Sequence, residues 1–344
     1  PYEGRDKCLN LGPCMTGCAQ GGKSSTDITY WPEAIRSGVE LRTRHRVREI
    51  SLRDDGMADG VYYYDEEGNE RFQKAEVVIM ACNGVGTPRL LLNSKSSTFP
   101  NGLANSSGLV GKNLMFHPVG GVQAVFEERL DSHKGPAGCC ILSKEFYETD
   151  LDRGFVRGFN MQITRGGGPL TSALQGYHSG FIPWGRGHHE AFEGFFDHVA
   201  SIGILAEDLP EEHNTVTLDA KLTDSDGIPA PKIDYTLSEN SRKMLDFGEN
   251  RAVEAMEAAG AIDVRKTGLY RLSGWHLLGT ARMGNDPSTS VVNSWGRSHD
   301  VKNLFIVDGS VFVTSGGLNP TSTIQAIGLH VADSIKRNLA NLFD

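Results

Sequence analysis

Apolar and polar positions alternate through VELRTRHRVREISL (39–52), the two-residue period of a strand with one covered face. DDGMADGVYYYDEEGNERFQ follows, and turn signals at Asp55-Gly56 and Glu67-Gly68 predict a hairpin there. The rhythm then changes in KAEVVIMACNGVGTPRLLLNS. A buried strand is predicted from Val77 to Met80, then a glycine turn, then a helix opened by Thr87-Pro88. Strand, turn and helix in that order are the grammar of an α/β fold.

From about Gly120 to Thr236 the pattern becomes one of separated strands. GGVQAVFE, GFVRGFNMQIT, HVASIGILAED, NTVTLDA and PKIDYTL lie between glycine-rich loops and predict a mostly antiparallel sheet. LSENSRKMLDFGENRAVEAMEAAG (237–260) has helical spacing instead. Ser238 is the expected N-cap, Met244, Ala252, Met256 and Ala259 form the apolar stripe, and Gly260 is the stop. NLFIVDGSVFVTSGG restores the α/β grammar with a buried strand and a glycine-rich exit. NPTSTIQAIGLHVADSIKRNL is then a helix with Asn319 as N-cap and Pro320 at its first position. At the other end, residues 1–35 read as a loop rich in glycine and cysteine leading into a short helix near TDITYWPEAIRSG. The expected organisation is a nucleotide-binding-like layer from both ends of the chain (1–115 and 271–344) with an antiparallel substrate layer (116–270) inserted.

Composition narrows the partners. The 344 residues carry a net charge of -9, which argues against nucleic acid and against an anionic membrane surface. No apolar run approaches the roughly 18 residues of a membrane span. The chain starts at Pro1 without a methionine, so a targeting signal ahead of it stays possible, and the compartment stays open between cytoplasm and periplasm. Forty-one glycines imply many tight turns and close backbone approaches to a ligand.

GCAQGGKS (17–24) has the spacing of a phosphate-binding P-loop, and Asp308 could serve as its magnesium carboxylate. A P-loop needs a strand before it, however, and KCLNLGPCMT has neither alternation nor a β-branched run. The C-terminal helix is a better anion site, because its free N–H groups and positive dipole end follow Gly316-Gly317. Upstream, SGWHLLGTARMGNDP (273–287) sets His276 among apolar residues. That is the surrounding of an ordinary core histidine, and also of a general base whose pKa must sit near working pH.

GWHLLGTARMG, VVNSWGRSHDVKNLFIVDGSVF and GGLNPTSTIQAIG, in this order, resemble the C-terminal signature of the glucose–methanol–choline (GMC) flavoprotein oxidoreductases. ACNGVGTPRLLLNS (81–94) resembles that family's second signature and GLVGKNLMFHP (108–118) its sequel. CLNLGPCMTGCAQGGKSSTDITYWPEAIRSGVEL is similar to the family's FAD-side segment, as it occurs in bacterial sugar and gluconate dehydrogenases. The resemblance implies an FAD-dependent alcohol or sugar oxidoreductase, with the glycine loop at 17–24 beside the flavin and its P-loop spacing a coincidence. It implies a catalytic pair: His276 takes the hydroxyl proton of a CH–OH group as hydride passes to flavin N5, and Asn319 orients the substrate oxygen. Ala81, Asn83, Asp308, Gly309, Asn319, Pro320 and Thr321 would line FAD, Val47 would meet its adenine, and His117 would either lie near the isoalloxazine and the substrate or serve a structural role. The substrate would be a sugar, glycoside or sugar acid, and the electron acceptor oxygen, a quinone or a protein.

The fold so implied is α/β with α+β character: an FAD-binding Rossmann-like domain carrying an inserted, mostly antiparallel substrate domain. One departure stands out. The family's GxGxxG fingerprint is absent, and GVGTPR (84–89) lacks the third glycine. The expectation is a fragment without the N-terminal βαβ unit. A flavin-free remnant serving as a binding or scaffolding module is the alternative. Cys8, Cys14 and Cys18 could ligate an iron–sulfur cluster, although thiols packing a glycine-rich loop are the plainer reading, and no metal is expected. A hydrolase is disfavoured, since no GxSxG elbow is present.

Overall fold

The computed structural model describes residues 4–11, 14, 17–135, 139–271 and 273–342. In chain order the elements are α1 (Thr26–Arg36), β1 (Arg46–Leu52), β2 (Ala58–Tyr64), β3 (Glu70–Lys74), β4 (Val78–Met80) and α2 (Asn83–Asn93). Next come β5 (Val119–Val125), β6 (Cys139–Ser143), β7 (Phe159–Arg165), α3 (Pro169–His178), α4 (His188–Phe195) and β8 (Val199–Ala206). The remainder are β9 (Thr215–Thr223), β10 (Pro229–Asp234), α5 (Glu239–Ala258), β11 (Asp263–Lys266), β12 (Leu304–Ile306) and α6 (Thr321–Arg337). They fall into two compact units, one of residues 1–41, 118–206 and 239–273, the other of residues 42–117, 207–238 and 274–344.

The first unit is built on an antiparallel sheet in the order β11-β5-β8-β7-β6. The α5 helix covers it, burying Met244, Leu245, Gly248, Ala252 and Met256 at helical spacing. Gly248 permits the approach: a Cβ there would stand 2.9 Å from Ile204 Cγ2 and 3.2 Å from the Phe159 ring. Glu249, buried beside it, accepts a hydrogen bond from Gly121 N at 3.0 Å, which satisfies part of its carboxylate.

The second unit holds the antiparallel meander β1-β2-β3, the two-stranded parallel sheet β12-β4 and the hairpin β9-β10. Its core gathers Ile50, Ala58, Met80, Leu91, Leu304, Ile306 and Val311. Asn303 joins the pieces through bonds that leave its amide satisfied. It accepts from Ala58 N at 2.7 Å and donates to the carbonyls of Ala58 at 2.8 Å and Glu76 at 2.9 Å.

The elements and units differ in places from the sequence expectation. β9 and β10 form a two-stranded sheet, and residues 207–238 group by contacts with the second unit. Residues 1–41 group with the antiparallel sheet instead of with the chain that follows them. β6, β11, α3 and α4 were not foreseen, because their residues lack a clear period. Ile79, in the supposedly buried strand, is 52% exposed, and Ala259 at the end of the α5 stripe is exposed as well. The second helix begins a turn before Thr87-Pro88, because Asn83 Oδ1 accepts from Val85 N at 2.9 Å and Gly86 N at 3.2 Å and so caps it. In α6 the cap is Pro320, with Thr321 as first helical residue, one position later than the Asn319 cap expected.

Candidate active site

The segment after His276 is held on two sides. Met115 and Leu278 form an antiparallel bridge, with N–O distances of 3.0 and 3.1 Å. On the other side Gly279 N, Ala281 N and Met283 N donate to the carbonyls of Gly309, Ser310 and Val311 at 3.1, 2.8 and 2.9 Å. Thr280 Oγ1 adds a bond to Gly84 O at 2.7 Å, and a Cβ on Gly84 would lie 2.5 Å from the Leu277 carbonyl. The start of α2, the His276 segment and the Asp308-Gly309 turn are therefore packed backbone to backbone.

The antiparallel bridge has a consequence for side chains. Two residues beyond Met115 lies His117, and two residues before Leu278 lies His276, so the register sets the rings opposite one another. The rings meet edge to face, with centroids 4.7 Å apart and the two Nδ1 atoms 2.7 Å apart. His117 Nε2 lies 2.5 Å from the Gly316 carbonyl oxygen. His117 is buried and His276 half-buried. Burial, reinforced by the neighbouring His276, pushes the His117 pKa down to about 4. Burial alone lowers that of His276.

The FAD residues expected from the resemblance lie at one end of the small parallel sheet. β4 runs into Ala81 and Asn83, both exposed, and β12 runs into Asp308 and Gly309, which are buried. The crevice at the carboxyl ends of parallel strands is where α/β sheets take their ligands. Asp308 is tied within the chain, accepting from Thr87 Oγ1 at 2.5 Å and Ser310 N at 2.8 Å. Val47 on β1 lines a cavity of about 350 Å³ together with Cys82, Gly86, Leu90, Asn93 and Ile228. That volume and its partly apolar wall suit a planar heteroaromatic ring. Gly316 is three residues before Asn319, which is exposed, as is Thr321, while Pro320 is buried. Pro320, the N-cap of α6, makes no side-chain bond to the first turn, and the positive end of a helix favours an anionic group. These residues fit FAD: a ring-sized cavity at Val47, and a helix N-terminus at Thr321 that follows the Gly316 carbonyl bound to His117.

The cysteines are not drawn together as a metal site. Cys8 is exposed, with its Sγ 3.4 Å from Asn10 Oδ1, and Cys14 and Cys18 are partly exposed. Among the described residues no group of three His, Cys, Asp or Glu side chains is arranged to hold a metal ion. Nor, among the described residues, is there a helix long and apolar enough to cross a membrane.

Sequence reasoning missed the residues behind the histidine pair. Asp208 is buried and its carboxylate accepts from Phe116 N at 3.1 Å and from Tyr235 Oη at 2.7 Å. Its backbone is clasped by Ser315 Oγ, 2.8 Å from Asp208 N and 3.1 Å from Asp208 O. Phe116 precedes His117 and Ser315 precedes Gly316, so one aspartate steadies both the buried imidazole and the carbonyl it meets. The AED stretch ending the strand HVASIGILAED was the visible signal, an acid closing an apolar strand.

Two family models, both described as GMC oxidoreductase, match residues 3–119 and 210–328. The chain belongs to the GMC oxidoreductase family. It is 42% identical over 348 residues to the 2-methyl-1,2-propanediol dehydrogenase of Mycolicibacterium austroafricanum, covering 100% of this chain and 63% of that protein. It is 28% identical to the fructose dehydrogenase large subunit of Gluconobacter japonicus, over 98% of this chain and 61% of the relative. The chain thus spans less than two thirds of the length of these relatives. Among solved structures, the Aspergillus oryzae RIB40 formate oxidase superposes with a TM-score of 0.59 at 16% identity, over 87% of this chain and 61% of the oxidase, a likeness of fold.

Proposed function

We propose that the chain carries the substrate-oxidising half of an FAD-dependent oxidoreductase, acting on a CH–OH group of a small alcohol or sugar, with His276 as the proton acceptor. The observation that carries this reading is the seating of His276: half-buried, paired with a neutral histidine, and stitched to the Asp308-Gly309 turn. Bound FAD would supply the hydride acceptor. The chain's own part is to accept the hydroxyl proton at His276 and to fix the substrate oxygen with Asn319. Depression of the His276 pKa by burial keeps that ring neutral and able to accept at neutral pH. Ala81, Asn83, Gly309, Pro320 and Thr321 would hold FAD, with Val47 at its adenine. The relatives act, by their names, on a branched diol and on a ketose, so sugar-like polyols and short diols are both in range.

The test is anaerobic addition of a short 1,2-diol, a ketose and an aldonic acid to the FAD-loaded protein, followed by absorbance. Bleaching of the flavin bands with one of them supports the reading. In His276→Ala the bleaching rate should fall by about a hundredfold or more with FAD still bound. Unchanged bleaching in that variant removes His276 from the reaction.

A further inference from the structure

We infer that His117 is a positioning residue that locks His276 in the Nδ1–H tautomer, so that the Nε2 lone pair is the one presented for proton transfer. The inference rests on the reading of His276 as proton acceptor for its meaning, but not for its geometry. The Gly316 carbonyl, 2.5 Å from His117 Nε2, can only accept. His117 Nε2 must therefore carry the hydrogen. A neutral imidazole with Nε2–H has a bare Nδ1, and that atom lies 2.7 Å from His276 Nδ1. Two bare nitrogens at that distance would repel. His276 Nδ1–H must donate, and His276 Nε2 is left without a hydrogen. The polarity of the whole chain of bonds is thus set by one backbone carbonyl.

For this to hold, His117 must not take a second proton. Its burial, and the pKa of about 4 that burial produces, keep it neutral across the physiological range. Proton uptake at His276 Nε2 then gives an imidazolium whose Nδ1–H is still donated to a neutral acceptor, which steadies the charge where it forms. The carbonyl must also stay in place. Asp208 secures it by holding Ser315 on one side and Phe116 on the other. A histidine without such a partner would favour the opposite tautomer, since free imidazole side chains prefer the hydrogen on Nε2.

Nitrogen-15 NMR of the full chain labelled at its 11 histidines reads the tautomers directly. At neutral pH the expected spectrum has a pyrrole-type Nδ1 and a pyridine-type Nε2 for His276, assigned through His276→Gln, and the reverse for His117. In His117→Phe the His276 signals should move toward the Nε2–H form. His117→Leu is the second variant, in case the phenylalanine does not fold. It offers no acceptor to His276 Nδ1–H, so the same shift is expected. An Nε2–H tautomer of His276 in the parent chain, or an unmoved Nδ1–H tautomer in a folded His117 variant, overturns the inference. In FAD-loaded protein the same substitutions should lower kcat about ten- to a hundredfold with KM little changed. A clamp shown by NMR with no loss of kcat would count against the His276 base and leave the clamp standing. That result separates failure of the two readings.

Discussion

Gly279 holds the histidine pair in place through backbone alone. Its φ of 91° lies in the left-handed region, and a Cβ there would sit 2.2 Å from the Asn113 carbonyl oxygen. Both faults fall on the bridge that sets His117 opposite His276. Gly279→Ala should therefore cost about 2–4 kcal/mol of stability in urea unfolding, from strain and from displacement of the paired segments. A change below 0.5 kcal/mol would mean that the bridge yields without consequence. His117 makes a second, pH-dependent contribution. The unfolded chain protonates this residue as pH falls through about 6.5, whereas the folded chain resists until about 4. Protons therefore bind the unfolded state more, and stability falls on acidification across that window. Between pH 7 and pH 5 the share owed to His117 is about 2 kcal/mol. His117→Phe should lose that much less over the same interval. An identical pH slope in the variant would show that His117 titrates normally in the folded chain. At this scale the sequence showed His276, because its motif names it. It did not show the partnership, because His117 lies 159 residues away and nothing local to either residue announces the register that joins them.

Elements with a strong local period were the legible ones. β1, the β2–β3 hairpin, β5, β7, β8 and the α5 helix stand where alternation, turn dipeptides or helical spacing placed them. The hairpin β9–β10 shows what local reading lacks. Its strands were legible, but their partner was not, because pairing depends on tertiary contacts made elsewhere. One of those contacts is Arg89 on α2, whose guanidinium donates to Asp224 Oδ2 at 2.7 Å and to the carbonyls of Pro229 at 2.7 Å and Ile228 at 3.0 Å. The ion pair is mostly buried, with 15% and 22% of the side chains exposed. Removing the arginine takes the charged donor from Asp224 Oδ2 and one donor each from the Pro229 and Ile228 carbonyls, so Arg89→Ala should destabilise by about 2 kcal/mol. Hydrogen exchange should localise the effect to residues 215–234. Uniform loss of protection across the second unit would instead make Arg89 part of its cooperative core. Ile228 also lines the cavity beside Val47, so the same substitution loosens the wall against which an adenine would pack.

For the whole molecule, the legible part was the alternation of α/β and antiparallel grammar, and the illegible part was how the chain is shared out. Each unit is assembled from three separated stretches, and residues 1–41 and 207–238 fall to the unit that local patterning would not choose. No periodicity records such an exchange, since it is decided by contacts of long sequence separation. The candidate cofactor residues follow the same rule. Val47, the Ala81–Asn83 turn, Asp308-Gly309 and the α6 terminus are distant in sequence, yet all lie in the second unit. A ligand that touches all of them must stabilise that unit by mass action, worth roughly 3 kcal/mol at a hundredfold excess over Kd. FAD should accordingly raise the thermal midpoint of this net-acidic chain by several degrees. Its two halves should divide the effect, ADP through the cavity at Val47 and FMN through the end of α6. Gly86→Met, which puts a side chain into the cavity wall, should abolish the response to ADP and spare that to FMN. Equal loss of both would mean that the cavity and the helix end act as one site. No shift with FAD, ADP or FMN would mean that these residues do not bind the nucleotide that their arrangement fits.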